Sequence, residues 1–100
     1  MKERTRRSRG NIFEDLGASP TEAANLKVRS HLMMELEELI RRKGWTQQEA
    51  AKALGVTQPR VSDLVRGKID RFSVDNLIEL LGRAGVEVTF SATRRKRRVA

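Results

Sequence analysis

The chain has 100 residues, 38% of them hydrophobic, a formal net charge of +8 and no cysteine. That length suits one domain around one core, and the missing cysteine excludes disulfides, thiolate metal sites and a cysteine nucleophile. A single histidine, no tyrosine and no glycine-rich phosphate loop leave little from which to build a catalytic centre, so neither an enzyme nor a cofactor or bound metal is expected.

Residues 1–9 carry Lys2, Arg4, Arg6, Arg7 and Arg9 against Glu3. They are too polar to pack and are expected to form a disordered basic tail. The folded domain is expected over residues 10–93. Its first strong signal is Ser19, Pro20, Thr21 and Glu22, which sets out an N-cap, a proline at the first helical position and the glutamate of a capping box. Val28, Leu32, Leu36 and Ile40, with Met33 and Leu39 beside them, recur at helical spacing, and Gly44 supplies the stop. The spacing predicts a helix from about 20 to 43, roughly 36 Å long. Trp45 is expected to pack in the core, and His31, among polar neighbours, has no assigned role.

Thr46 to Glu49 repeats the capping-box pattern and opens a short helix that Gly55 ends. Thr57 caps another, which ends before Gly67. Pro59 is tolerated in its first turn, where an N–H has no intrahelical acceptor. A fourth helix starts at Ser73, with Phe72 and Leu77 as a hydrophobic staple. Beyond Gly85 the period changes to two: Val86, Val88 and Phe90 face one way, Glu87 and Thr89 the other, which predicts a strand over 86–90. A buried strand needs a partner. Either a second copy of the chain supplies it across a two-fold axis, making Val86, Val88 and Phe90 a dimer interface, or Ile12 and Phe13 form a short partner strand within one chain. Residues 94–100, with Arg94, Arg95, Lys96, Arg97 and Arg98, form a second basic tail. Both tails are expected either to act as sequence-independent electrostatic arms or simply to be solvated.

Two short helices joined by a glycine turn, flanked by further helices, form a helix-turn-helix over 46–67. Ala51 is small where the helices cross, Gly55 follows in the turn, and Val61 and Leu64 stand at the spacing that faces them inward; Ala50, Leu54, Val56 and Val65 complete the apolar side. At these positions the stretch TQQEAAKALGVTQPRVSDLVRGK resembles the Xre/Cro repressor family. The resemblance implies a mainly α domain of four to five helices, here with one C-terminal β-strand, whose second motif helix lies in the DNA major groove.

A 100° step per residue places Val61, Leu64 and Val65 on one side of that helix. Pro59, Ser62, Asp63 and Arg66 lie opposite, with Gln58 and Arg60 on the flanks. Gln58, at the groove-entering end, can give bidentate hydrogen bonds to adenine; Arg60 can pair with guanine, and the Pro59 ring can touch a thymine methyl. Asp63 can accept from cytosine, or orient Arg60 or Arg66. Backbone phosphates are assigned to Gln47, Thr57, Ser62, Arg66, Lys68 and Arg71. In the resembled family a glutamine at the place of Gln47 is commonly a backbone clamp, whereas many relatives carry a polar side chain where this chain has Pro59.

Charge is divided along the chain: residues 41–71 hold eight basic and three acidic side chains, and residues 10–40 two basic and six acidic. The basic centre is the expected face for double-stranded DNA, and the function expected is a dimeric repressor reading a palindromic operator with the helix at 58–66. The layout, with an NIFEDLG leader, a long helix and VEVTF at 86–90, is also similar to single-domain Xre-type antitoxins of the HigA-like group. That resemblance implies a partner toxin, usually a basic ribonuclease, for which the acidic segment with Glu35, Glu37 and Glu38 is a complementary surface, though an acidic solvated helix also explains it. No apolar run approaches the ~20 residues that cross a bilayer, and the amino end lacks the hydrophobic block of a signal peptide. No membrane association is expected, and a cytoplasmic, nucleoid-associated location is.

Overall fold

In the computed structural model residues 19–94 are described. The first nine residues, the leader at 11–17 with Ile12 and Phe13, and positions 95–100 lie outside the described residues. Helix α1 (Pro20–Lys43) begins where the sequence places its cap: the Ser19 hydroxyl accepts from the Glu22 N–H, and the Glu22 carboxylate accepts from the Ser19 N–H, both at 3.1 Å. Glu22 in the first turn and Arg41, Arg42 and Lys43 in the last oppose the helix dipole at each end. At the far end Gly44 donates to the Arg41 carbonyl and Trp45 to that of Ile40, the paired bonds of a glycine-terminated helix.

Helix α2 (Gln47–Leu54) repeats the reciprocal cap between Thr46 and Glu49, at 2.9 and 3.1 Å, and ends at Gly55. Helix α3 (Gln58–Val65) starts from Thr57, whose hydroxyl accepts from the Arg60 N–H, and carries Pro59 in its first turn. A 3-10 turn at Ile69–Arg71 leads to α4 (Val74–Arg83), capped by the Ser73 hydroxyl. The staple forms as expected, with Phe72 and Leu77 both buried.

Each helix contributes one apolar stripe to a single core. Leu32, Met33, Leu36 and Ile40 come from α1, Ala50, Ala51 and Leu54 from α2, Val61 and Leu64 from α3, and Leu77, Leu80 and Leu81 from α4. The long helix packs most extensively on α4, and α2 on α3. Trp45 lies half-buried against this core, with the Lys43 ammonium 5.9 Å from its ring centre. Every buried side-chain nitrogen or oxygen among the described residues has a hydrogen-bond partner, and no described helix is long and apolar enough to cross a membrane.

Two expectations change. The strand over Val86–Phe90 is not formed within the chain: residues 86–94 carry no regular secondary structure. A ladder requires a second extended segment, and no strand occurs among the described residues. The alternation survives in part, since Val86 and Val88 are half-buried against the core while Glu87 and Thr89 are exposed; Phe90 is 62% exposed. Val65, expected on the buried side of α3, is 37% exposed. At 100° per residue it lies about 70° off the centre of the stripe made by Val61 and Leu64, so it looks out beside Glu37, Ile40 and Arg41.

Candidate nucleic-acid interface

Helix α3 has eight residues, too few to persist alone in water. Its orientation is therefore set by what holds its buried side. Val61 and Leu64 are each 1% exposed and anchor it in the core. Opposite them Pro59 and Arg66 are exposed and Ser62 and Asp63 half-buried, while Gln58 is exposed at the helix's N-terminal end. These five side chains form a strip along the outer surface of α3. Thr57 and Gln47, at the starts of α3 and α2, are also exposed; Lys68 and Arg71 follow after the helix, the former half-buried and the latter exposed.

Arg60 departs from its expected role. Nη1 donates to the Arg71 carbonyl at 2.8 Å and Nη2 to the Asn76 carboxamide oxygen, and the guanidinium carbon lies 4.1 Å from the Phe72 ring centre. The side chain is turned to the start of α4 and away from the outer surface of α3. The reason is its angular place, about 70° from the buried centre of α3 on the side away from Val65, which brings a long side chain onto the neighbouring helix. Asp63 also finds a different partner: its carboxylate pairs with Arg71 at 3.2 Å and not with Arg60 or Arg66.

Two further arginines, neither singled out in the sequence, act in the same way. Arg29 of α1 donates to the Ile69 carbonyl in the 3-10 turn at 3.0 Å and to Asn25 at 2.9 Å. Arg83 of α4 donates to the Leu54 carbonyl at 2.9 Å and to Gly55 at 3.4 Å, while its second nitrogen pairs with Glu79 at 2.8 Å. Arg83 supplies a donor to carbonyls at the end of α2, where intrahelical partners run out, and Arg29 adds a second donor to the Ile69 carbonyl, which also accepts from the Phe72 N–H at 3.3 Å. The local signals in the sequence are Asn25 four residues before Arg29 and Glu79 four residues before Arg83, a helical pair spacing; the Leu54 carbonyl that Arg83 reaches is 29 residues away. Arg29 and Arg60 line a cleft of about 570 Å³ beside Phe72 and Asn76.

Two short helices meeting at a glycine turn, with a polar, partly basic strip on the outer surface of the second, define a helix-turn-helix protein. The comparisons agree: the family model for the helix-turn-helix domain matches residues 12–93, and the chain belongs to that family. A solved structure described as "Putative XRE Family Transcriptional Regulator" is 32% identical, covers 79% of this chain and 89% of its own, and superposes with a TM-score of 0.71; this likeness makes the family Xre-type. No curated protein matches the chain.

Gly55 marks the point where the motif is least tolerant. Its φ of +71° is left-handed, and a Cβ there would lie 2.8 Å from Nη1 of Arg83; Gly67 has nearly the same φ, +72°, with open space around it. Replacing either by alanine incurs the left-handed cost of ~1–2 kcal/mol. Gly55→Ala also displaces the guanidinium from its two carbonyls, so urea unfolding should place it clearly below Gly67→Ala in stability. Equal loss in the two would mean that Arg83 does not hold the turn.

Proposed function

We propose that this protein is a sequence-specific double-stranded DNA-binding transcriptional regulator that reads a palindromic operator as a dimer and acts as a repressor. The observation that carries the reading is the exposed strip of α3, whose N-terminal end presents Gln58 and Pro59 while the opposite side is fixed in the core. A glutamine amide offers a donor and an acceptor together, matching adenine in the major groove, and a proline ring offers apolar contact to a thymine methyl. Arg60 is left out of this reading, since its guanidinium donates to the Arg71 carbonyl and to Asn76.

Around the strip stand the groups suited to phosphate. Gln47 and Thr57 sit at helix N-termini, where backbone N–H groups and the helix dipole favour an anion. The Thr57 hydroxyl accepts from the Arg60 N–H and keeps its own hydrogen for donation. Ser62, Arg66, Lys68 and Arg71 extend the same surface. Arg71 gives one nitrogen to Asp63 and has others to offer, so Asp63 serves as its orienting partner. Such contacts set register and affinity and carry no base identity themselves.

The carboxyl-terminal segment supports the dimer in this reading. Val86 and Val88 already rest on the core, yet Phe90, one of three phenylalanines, is 62% exposed. Pairing of 86–90 with the same segment of a second copy would form the ladder that one chain lacks and cover Phe90. It would also place two α3 helices on one duplex, where half-sites about 34–36 Å apart double the sequence read.

Gln58→Ala should weaken operator binding by ~1–3 kcal/mol and relax preference at one base pair, with binding to random duplex unchanged, as read by sequence selection and titration. An unaltered selected motif would remove Gln58 from the reading surface. Val88→Lys should turn a sedimenting dimer into a monomer with its helical circular dichroism kept, and operator affinity should fall far more than random-duplex affinity. If that variant sediments as the wild type does, the segment 86–90 is not the seam.

A further inference from the structure

We propose that Arg60 and Arg83 are positioning residues which fix the angle at which α3 presents Gln58 and Pro59. The inference rests on the reading of α3 as the DNA-contacting helix. It begins from where the two guanidinium groups are anchored. Arg83 reaches from the last turn of α4 back to the Leu54 and Gly55 carbonyls, which lie at the end of α2 and in the turn leading to α3. Arg60 reaches in the opposite direction, from the first turn of α3 to the Asn76 side chain on the first turn of α4 and to the Arg71 carbonyl just before it.

The chain from 56 to 59 is thus held between two anchors, one at Gly55 and one at Arg60, and both are made with α4. Those four residues include the Thr57 cap and the two exposed side chains at the groove-entering end. Hydrophobic contacts alone leave this segment loosely determined: Val56 is half-buried and Thr57, Gln58 and Pro59 are exposed, so the nearest fully buried side chains are Leu54 before them and Val61 after them. Apolar packing is non-directional; hydrogen bonds from a planar guanidinium to two acceptors are not. The Phe72 ring against Arg60 restricts the plane of that guanidinium as well.

The same geometry explains why an arginine stands at each place. A lysine ammonium keeps the charge but cannot span two acceptors with a planar fork. Arg60→Lys and Arg83→Lys therefore remove the positioning and leave the electrostatic attraction to phosphate in place. Asn76→Ala removes the acceptor from Arg60 without touching the motif, leaving the arginine and its stacking on Phe72 where they are.

The test uses the full chain and the duplex recovered by wild-type selection from a random pool. Titrations of that duplex and of a random duplex are run well below each variant's thermal midpoint. Each of the three variants should lower the ratio of operator to random-duplex affinity by about 10-fold, or ~1.4 kcal/mol, with random-duplex affinity and its salt dependence unchanged. Selected motifs should lose information over several adjacent base pairs. Arg60→Lys combined with Asn76→Ala should be no worse than Arg60→Lys alone, because the Asn76 contact is already lost with the guanidinium. An unchanged ratio in the variants overturns the proposal, as does loss of preference at a single base pair in Arg60→Lys, which would make Arg60 a reader. If wild-type selection returns no motif, sequence-specific reading by α3 fails, and this inference fails with it. If Arg83→Lys does not fold, Asn76→Ala and Arg60→Lys decide the matter by the same ratio.

Discussion

An eight-residue helix is not stable by itself in water, because the cost of nucleating its first turn is recovered only over a longer run. Both helices of the motif, α2 and α3, have that length. Everything that makes them useful must come from outside them: α1 and α4, the longer elements, present a wide apolar surface on which α2 and α3 are laid. Leu36 and Leu77, both 0% exposed, lie in that surface. Once Val61 and Leu64 are committed to it, the helical repeat leaves Pro59, Ser62, Asp63 and Arg66 facing outward with Gln58 at the end. The outward strip is a geometric consequence of the buried one.

Burial fixes which side faces out but leaves the pitch of a short helix against its neighbours less determined. Directional bonds fill that gap. Arg29, Arg60 and Arg83 each donate to a backbone carbonyl at a helix end or turn, and they link α1 to the 3-10 turn, α3 to α4, and α4 to the end of α2. Of the basic residues in the region from 41 to 71, Arg60 is engaged within the protein, while Arg66, Lys68 and Arg71 remain on the surface around the outer strip of α3. A count of positive charge overstates the interface, because part of that charge serves the fold.

Much of the fold was legible because its punctuation is local. Ser19 with Glu22 and Thr46 with Glu49 are capping boxes whose partners are three residues apart, and Gly44 and Gly55 adopt the left-handed conformation that ends a helix. The staple of Phe72 and Leu77 is equally local, and the period of α1 is long enough to be unmistakable. The interface was only partly legible. The outward strip follows from periodicity, but a helical wheel treats a flank position as neutral, and the fate of Arg60 depended on Asn76, 16 residues away. The same wheel sets Val65 on the buried side, whereas it is 37% exposed. The strand over 86–90 was read from alternation, yet alternation specifies a face and not a partner; within one chain no partner occurs among the described residues.

The proposed function requires that the outer strip of α3 be the surface that meets DNA. Amide shift mapping by nuclear magnetic resonance on the 11.4 kDa chain, with and without a selected duplex, tests it most directly. The largest changes are expected at Gln47, Thr57, Gln58, Ser62 and Arg66, with smaller ones at Lys68 and Arg71 and little along the acidic outer side of α1 around Glu35 and Glu38. Changes centred on α1, with α3 unmoved, would contradict it.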